Sequence, residues 1–283
     1  MTLRQHITAA KARLVAAGIE PLEAARDVLL LARHVLGWDR AAIHARDTDP
    51  PPDGFVRAYA VAIERRTHRE PIAYITGVQE FWNRDFAVSP AVLIPRPETE
   101  LIIEAALSSV FGRAADIGTG SGCLAVTLAA ECPRARIVAT DTSAAALEVA
   151  RANAVRHAVG DRVEYRETRY LDDIPGSFDL IVSNPPYVSD DEYLALAPEV
   201  RDFEPRSALA SGTDGLDDIA GVLPTAVGQL APGGRLLLEI GYRHAAAIAS
   251  LVAAHVGLQL IDIRNDLQRI PRLAIIERRI DTP

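Results

Sequence analysis

The sequence is poor in lysine and cysteine and has no long apolar run. Lys11 is the single lysine and arginine supplies the other strong bases, which together with the many alanines reads as codon bias rather than function. The two cysteines, Cys123 and Cys132, are too few for a disulfide framework or a zinc site. Placed on one helix they stand about 13 Å apart, beyond the reach of a bridge. A reducing cytoplasm is the expected home. No stretch approaches the ~20 apolar residues of a membrane span, and no secretion-signal core opens the chain. The first 19 residues lack acids and carry Arg4, Lys11 and Arg13, a faint likeness to a transit peptide. Their apolar pattern runs on into a folded segment, which weighs against that reading. The 7 histidines show no ligand spacing, so no metal is expected.

What is present is the composition of a globular chain. Its 283 residues are 49% hydrophobic and 24% charged, enough to bury a core in one large domain or two ordinary ones. The net charge of −8 disfavours a protein that lives on nucleic acid, where phosphate neutralisation supplies most of the affinity. The charge is uneven. Met1–Pro95 holds 12 bases and 11 acids, whereas the remainder holds 18 and 27.

The first 70 residues read as helices. Leu3, Ile7, Ala10, Leu14 and Ala17 recur at helical steps before Gly18. A second helix from Pro21 to Gly37 presents Leu22, Ala25, Leu29, Ala32 and Leu36 as its inner face. Past the stiff Pro50-Pro51-Pro52 connector, a third carries Phe55, Tyr59 and Ile63 and ends in Arg65, Arg66 and Arg69. That arginine cluster suits a solvated helix C-terminus, with a binding patch as the alternative. Glu80–Val88 alternates about Asn83-Arg84 as a β-hairpin, and prolines from Pro90 to Pro97 mark a hinge.

After Arg113, strands alternate with helices. The candidate strands are 114–117, 136–140, 163–166, 178–183, 234–240, 258–263 and 273–280. The pattern predicts an α/β, Rossmann-like, doubly wound sheet of seven strands, parallel except for the last pair, whose connection is too short for a helical crossover. The expected division is a helical domain over 1–73, a hairpin linker over 74–95 and an α/β domain over 96–283.

Three segments carry chemistry. Asp116-Ile-Gly-Thr-Gly-Ser-Gly122 follows the first of these strands and opens a helix, so Gly118, Thr119, Gly120, Ser121 and Gly122 can bring bare backbone against a ligand. Such a loop suits a dinucleotide, another adenosine cofactor or merely a tight turn. Asp141 ends the next strand, where a carboxylate can accept both hydroxyls of an adenosine ribose. Capping the following helix, with Thr142 and Ser143, is the competing explanation. The decisive segment is Phe178–Tyr187, a buried strand running into Asn184-Pro185-Pro186-Tyr187. Ligands of open α/β sheets bind beyond the carboxyl ends of the strands, so this tetrad faces whatever the glycine loop holds. An amide or aryl amine nitrogen is a weak nucleophile because its lone pair is delocalised. The Asn184 side-chain oxygen and the Pro185 carbonyl can accept its two N–H bonds, and Tyr187 can stack on its plane. Orientation then supplies much of the rate. Glu239 ends a strand beside Gly241 and fits either a capping carboxylate or a group supporting the site. Asp190, Asp191 and Glu192 follow the tetrad as solvated carboxylates or a border of the substrate mouth.

These motifs, together with Pro95-Arg-Pro-Glu-Thr-Glu100, resemble the class I S-adenosylmethionine-dependent methyltransferases of the Asn-Pro-Pro-Tyr type. Most closely they resemble the HemK/PrmC family of protein-(glutamine) methyltransferases, over essentially the whole chain. The resemblance implies a helical substrate-recognition domain, a hairpin linker and a seven-stranded methyltransferase domain. It implies that Gly118–Gly122, Asp141, Tyr170 and Asn184 contact S-adenosylmethionine, which leaves as S-adenosylhomocysteine. It assigns the substrate amide to Asn184, Pro185, Pro186 and Tyr187, with Asn184, Pro185 and Tyr187 catalytic. The implied substrate is the glutamine of the Gly-Gly-Gln loop in class I peptide-chain release factors. A cytoplasmic monomer is expected, with no membrane and no direct nucleic-acid partner. Two departures stand out: Arg169 replaces the acidic residue usual before Tyr170, and Asp266–Arg272 lacks the family's loop glycine. An adenine amino-group methyltransferase acting on DNA or RNA, and a non-catalytic binding module on the same fold, are the alternatives.

Overall fold

A computed structural model describes residues 1–280; residues 281–283, to which the expected α/β domain extends, lie outside the described residues. The chain packs as two units. One comprises Met1–Val78 with Ala197–Phe203, and the other Gln79–Leu196 with the chain from Glu204 onward.

The helical unit contains α1 (Leu3–Ala16), α2 (Pro21–Leu36), α3 (Arg40–Ala45), α4 (Phe55–Thr67) and α5 (Ile72–Thr76). Thr2 and Gln5 form a capping box on α1, and Gly37 closes α2 in the left-handed conformation. The inner face of α2 is Ala24, Asp27, Val28, Leu31 and Ala32, rotated from the expected one; Leu22 is exposed. The reason is Asp27, a charge inside the apolar stripe that the hydrophobic pattern passed over. It is buried against Arg66, whose Nε donates to Asp27 Oδ2 at 2.7 Å, Nη2 to Glu23 Oε1 at 2.6 Å and Nη1 to Glu199 Oε1 at 3.0 Å. Arg65 pairs with Glu70, and Arg69 with Glu199. Arg66 and Arg69 are therefore neither a solvated helix end nor a free binding patch, but the cationic centre of an ion network that holds residues 197–203 within this unit, while Arg65 stays partly exposed on Glu70.

The hairpin is β1 (Val78–Phe81) and β2 (Arg84–Ala87). Its turn falls on Trp82-Asn83, at φ 52° and 55°, one residue earlier than expected. Two left-handed residues in succession match the twist of a tight hairpin. Trp82 tolerates this because its N–H donates to Glu100 Oε1 at 2.8 Å, while Asn83 N–H donates to Glu80 Oε1 at 2.7 Å. Phe81 and Phe86 then both enter the core.

The main sheet contains β3 (Arg113–Ile117), β4 (Arg136–Asp141), β5 (Val163–Glu167), β6 (Phe178–Ser183), β7 (Leu230–Glu239), β8 (Leu258–Asn265) and β9 (Pro271–Arg278). Their order is β5-β4-β3-β6-β7-β9-β8, parallel except for β9 against β7 and β8. Apolar side chains alternate between two cores. One packs α6 (Glu100–Leu107), α7 (Cys123–Glu131) and α8 (Ala144–Arg156) on the sheet. Two short helices follow β6, α9 (Asp190–Leu194) and α10 (Pro198–Arg201), the latter within the helical unit. The second core packs α11 (Asp217–Gln229) and α12 (Ala245–Ala253) on the opposite face. Burial on both faces explains the near-continuous apolar character of the central strands β4 and β6. Chain order reverses between β3 and β6, which puts the switch-point crevice at their carboxyl ends. Among the described residues no helix is long and apolar enough to cross a membrane, and no His/Cys/Asp/Glu group could hold a metal ion.

Candidate active site

Sheet register assembles the site. Ile117 pairs with Thr140 on one side and Ser183 on the other, and Ser183 pairs with Leu238. One residue further along, four strands release Gly118, Asp141, Asn184 and Glu239 at the same edge. A single cleft of about 660 Å³ opens there, within the roughly 300–1,000 Å³ usual for small-molecule sites. Gly118, Thr119, Gly120, Ser121, Asp141, Tyr170, Asn184, Pro185 and Pro186 line it. Two expected residues do not: Gly122 packs α7 onto α8, and the Tyr187 hydroxyl is turned to Glu239.

The glycine loop is held from below. Gly118 and Thr119 both donate their N–H to Thr140 O at 2.9 Å. Asp116 is fully buried, and its Oδ2 accepts from Thr119 Oγ1 at 2.6 Å and from Ala125 N at 3.1 Å. Burial pushes its carboxyl up to about 7 despite those two donors. Asp141 Oδ2 accepts from Gly120 N at 3.0 Å and Oδ1 from Ser143 N at 2.9 Å. The cap of α8 is Ser143, which accepts from Ala146 N, so Asp141 does not serve as the cap. Each of its oxygens keeps a further lone pair for a ligand. A Cβ added at Gly118 or Gly120 meets no atom within 4 Å. Their open sides, the Asp141 carboxylate and the size of the cleft fit an adenosine-bearing cofactor.

Tyr170 closes one wall at φ 53°. It packs against α11 where only glycine fits, since a Cβ on Gly221 would lie 1.8 Å from its hydroxyl. Arg169 stacks over the Tyr170 ring, 5.0 Å from its centroid, and reaches Asp218 at 3.6 Å. The Asp266–Arg272 loop turns without glycine because Arg269 takes φ 64° and Asp266 accepts from Gln268 N, Ile270 N and Arg272.

Asn184 is oriented by residues the motif does not contain. Its Nδ2 donates to Thr99 Oγ1 at 3.1 Å, and that hydroxyl donates to Glu239 Oε2 at 2.7 Å. The Tyr187 hydroxyl donates to Glu239 Oε1 at 3.1 Å. Glu239 is 2% exposed, and burial pushes its carboxyl up to about 7 against the pull of Thr99, Tyr187 and Arg272. Burial likewise pushes the Tyr187 phenol up. A buried Glu204 accepts from Ile94 N at 3.0 Å and pairs with Arg96, fixing the segment that carries Thr99. The strand-end position of Glu239 beside Gly241 was the available signal for it; nothing local marks Thr99 or Glu204. Asp190 and Glu192 are neutralised by Arg206 and Arg243 and belong to the first turn of α9.

The strand order and this crevice are those of a class I methyltransferase. A methyltransferase from Pyrococcus furiosus has the same fold, with a TM-score of 0.54 at 20% identity over 71% of this chain and 91% of that one. A 16S rRNA methyltransferase from T. thermophilus, solved with AdoMet and guanosine, gives 0.50 at 16% identity over 71% and 49%. Residues 5–77 match the family described as PrmC N-terminal domain, and residues 97–200 that described as Methyltransferase small domain. Relatives bearing the name release factor glutamine methyltransferase match nearly end to end. That of Cereibacter sphaeroides is 46% identical over 94% of this chain and 95% of its own length, and that of Nitratidesulfovibrio vulgaris 40% over 100% and 97%. The chain belongs to the release factor glutamine methyltransferase family.

Proposed function

We propose that this protein transfers a methyl group from S-adenosylmethionine to the side-chain amide nitrogen of the glutamine in the Gly-Gly-Gln loop of class I release factors, as a cytoplasmic monomer that needs no nucleic acid. The observation that carries the chemistry is the orientation of Asn184. With Nδ2 committed to Thr99, its Oδ1 remains to accept an N–H from a substrate at the mouth of β6. An amide –NH₂ offers two such donors, and the Pro185 carbonyl is the natural second acceptor, because neither proline of the tetrad has an N–H to compete for it.

When bound, S-adenosylmethionine supplies an electrophilic methyl carbon on a sulfonium. Gly118–Ser121 would hold its amino-acid end, Asp141 its ribose and Tyr170 its base. Asn184 and Pro185 hold the substrate nitrogen by both hydrogens, which turns its lone pair along the line of attack and raises its electron density. Such positioning is worth several kcal/mol of barrier. No strong base is needed before transfer, since the N-methylated amide loses its extra proton readily. The helical unit is assigned to substrate recognition and the sheet unit to catalysis.

The test is methylation of purified release factor with labelled cofactor, followed by peptide mapping. A gain of one CH₂ on the Gly-Gly-Gln glutamine is expected. Label found elsewhere, or only on DNA or RNA, refutes the assignment.

A further inference from the structure

Asn184 has a partner that has a partner of its own, and the direction of each hydrogen bond is fixed by the last. Glu239 stands at the root. As a carboxylate it can only accept, so the single protons of Thr99 Oγ1 and Tyr187 Oη both point to it, at 2.7 Å and 3.1 Å. Thr99 then has only lone pairs to offer Asn184, which must present Nδ2 at 3.1 Å and leave Oδ1 for the cleft. Were Glu239 neutral, its own O–H would donate to Thr99, the Thr99 proton would turn to Asn184, and the amide would rotate to keep the bond. Nδ2 would then face a substrate amide whose N–H groups it cannot accept.

We infer that Glu239 and Thr99 are positioning residues that set the hydrogen-bond polarity of Asn184, so that the ionised Glu239 selects an N–H donor as substrate. This rests on the proposed methyl transfer and names what makes its site specific for –NH₂. The relay spans three elements that share no sequence neighbourhood: the turn before α6, the loop after β6 and the end of β7. Its buried carboxylate faces Thr99 and Glu98 from that turn, Tyr187 from the loop, Arg272 from β9 and Cys123 from α7; Arg96 acts on Tyr187. Burial, with Glu98, opposes the ionised form, while the hydrogen bonds from Thr99 and Tyr187 and the charge of Arg272 favour it, which leaves the carboxyl pushed up to about 7.

The experiment measures kcat and KM for release factor against pH, with cofactor affinity by calorimetry, in the full-length protein. For the wild type, kcat falls as pH drops through about 7, with KM for release factor little changed. Glu239→Gln, an amide that can donate to Thr99 as a neutral acid does, shows the low-pH rate at every pH, a loss of about 100-fold. Its cofactor affinity is retained. Thr99→Val loses as much, adds nothing to Glu239→Gln because one relay is cut twice, and Thr99→Ser recovers the loss. Unchanged kcat in Glu239→Gln, or losses that add in the double variant, overturn the inference. Should Glu239→Gln not fold, the Thr99 variants decide: unchanged kcat in Thr99→Val, or a Thr99→Ser protein that fails to recover the loss, overturns it. A wild-type protein that methylates no release factor at any pH is a distinct result, which removes the proposed reaction and the relay with it.

Discussion

Gly122→Ala separates packing from ligand contact in the glycine loop. Gly122 caps the start of α7 at φ +80°, and a Cβ there would lie 3.0 Å from Ala150 Cβ and 3.1 Å from Ala150 Cα on α8. Two costs add. Alanine in the left-handed region costs about 1–2 kcal/mol, and forcing a methyl into helix backbone that cannot give way costs about 1–3 kcal/mol more. The sum, roughly 2–5 kcal/mol, corresponds in a domain of this size to a fall in Tm of roughly 5–15 °C. Gly120→Ala is the control. It carries a similar φ, +54°, but meets no protein atom within 4 Å, so it pays only the first cost. Its methyl enters the cleft instead. Melting curves and calorimetric titration with S-adenosylmethionine therefore rank the two oppositely: Gly122→Ala loses more stability, Gly120→Ala more affinity per degree lost. Equal melting temperatures, or a Gly120→Ala protein that melts lower, would refute the packing account.

Asn184→Ala is expected to abolish methyl transfer, by about 100-fold or more, while binding cofactor normally in calorimetry; full turnover would strip Asn184 of its role. Arg66→Ala leaves the buried Asp27 and its neighbours Glu23 and Glu199 without their shared cation, and urea titration should show a loss of about 3–5 kcal/mol. Arg66→Met should lose no less, since the acids stay unpaired either way, and a smaller loss would point to packing rather than charge. Asp116 gives a pH signature. Its folded carboxyl sits at about 7 against an ordinary 3.8, so between those values the unfolded chain releases a proton that the folded chain keeps. Stability therefore declines as pH rises through that window, by at most about 1.4 kcal/mol per unit. Asp116→Asn should flatten that part of the decline between about pH 5 and pH 7 in urea melts; a slope equal to wild type would mean Asp116 is not the group responsible.

The central strands were legible because both-face burial writes them as apolar runs, the edge strands β5 and β8 only from their place between turns and helices, and the antiparallel last pair because its connection is short. The helices α3 and α5 were not, being too brief to show a period. The hairpin turn slipped by one residue because a carboxylate from Glu100, far along the chain, stabilises Trp82 in a conformation its own side chain disfavours. The inner face of α2 was misjudged because burial of Asp27 depends on Arg66, 39 residues away. The cleft was legible wherever a residue and its reason lie in one motif, as with Gly118–Ser121 and Asn184–Pro186. Glu239 and Thr99 are 140 residues apart and meet only through the sheet, and no spacing rule reaches that far.

The membership of Ala197–Phe203 in the helical unit has a consequence for how such a protein is divided and inherited. The backbone passes from one unit to the other three times, at 78–79, 196–197 and 203–204. No single scissor cut yields two intact pieces. A fragment begun at Gln79 would carry a seven-residue orphan whose Glu199 has lost Arg66 and Arg69, and a fragment of the first 78 residues would leave those arginines short of an acid. A different N-terminal unit cannot simply be grafted ahead of the hairpin; it must also supply a seat for residues 197–203.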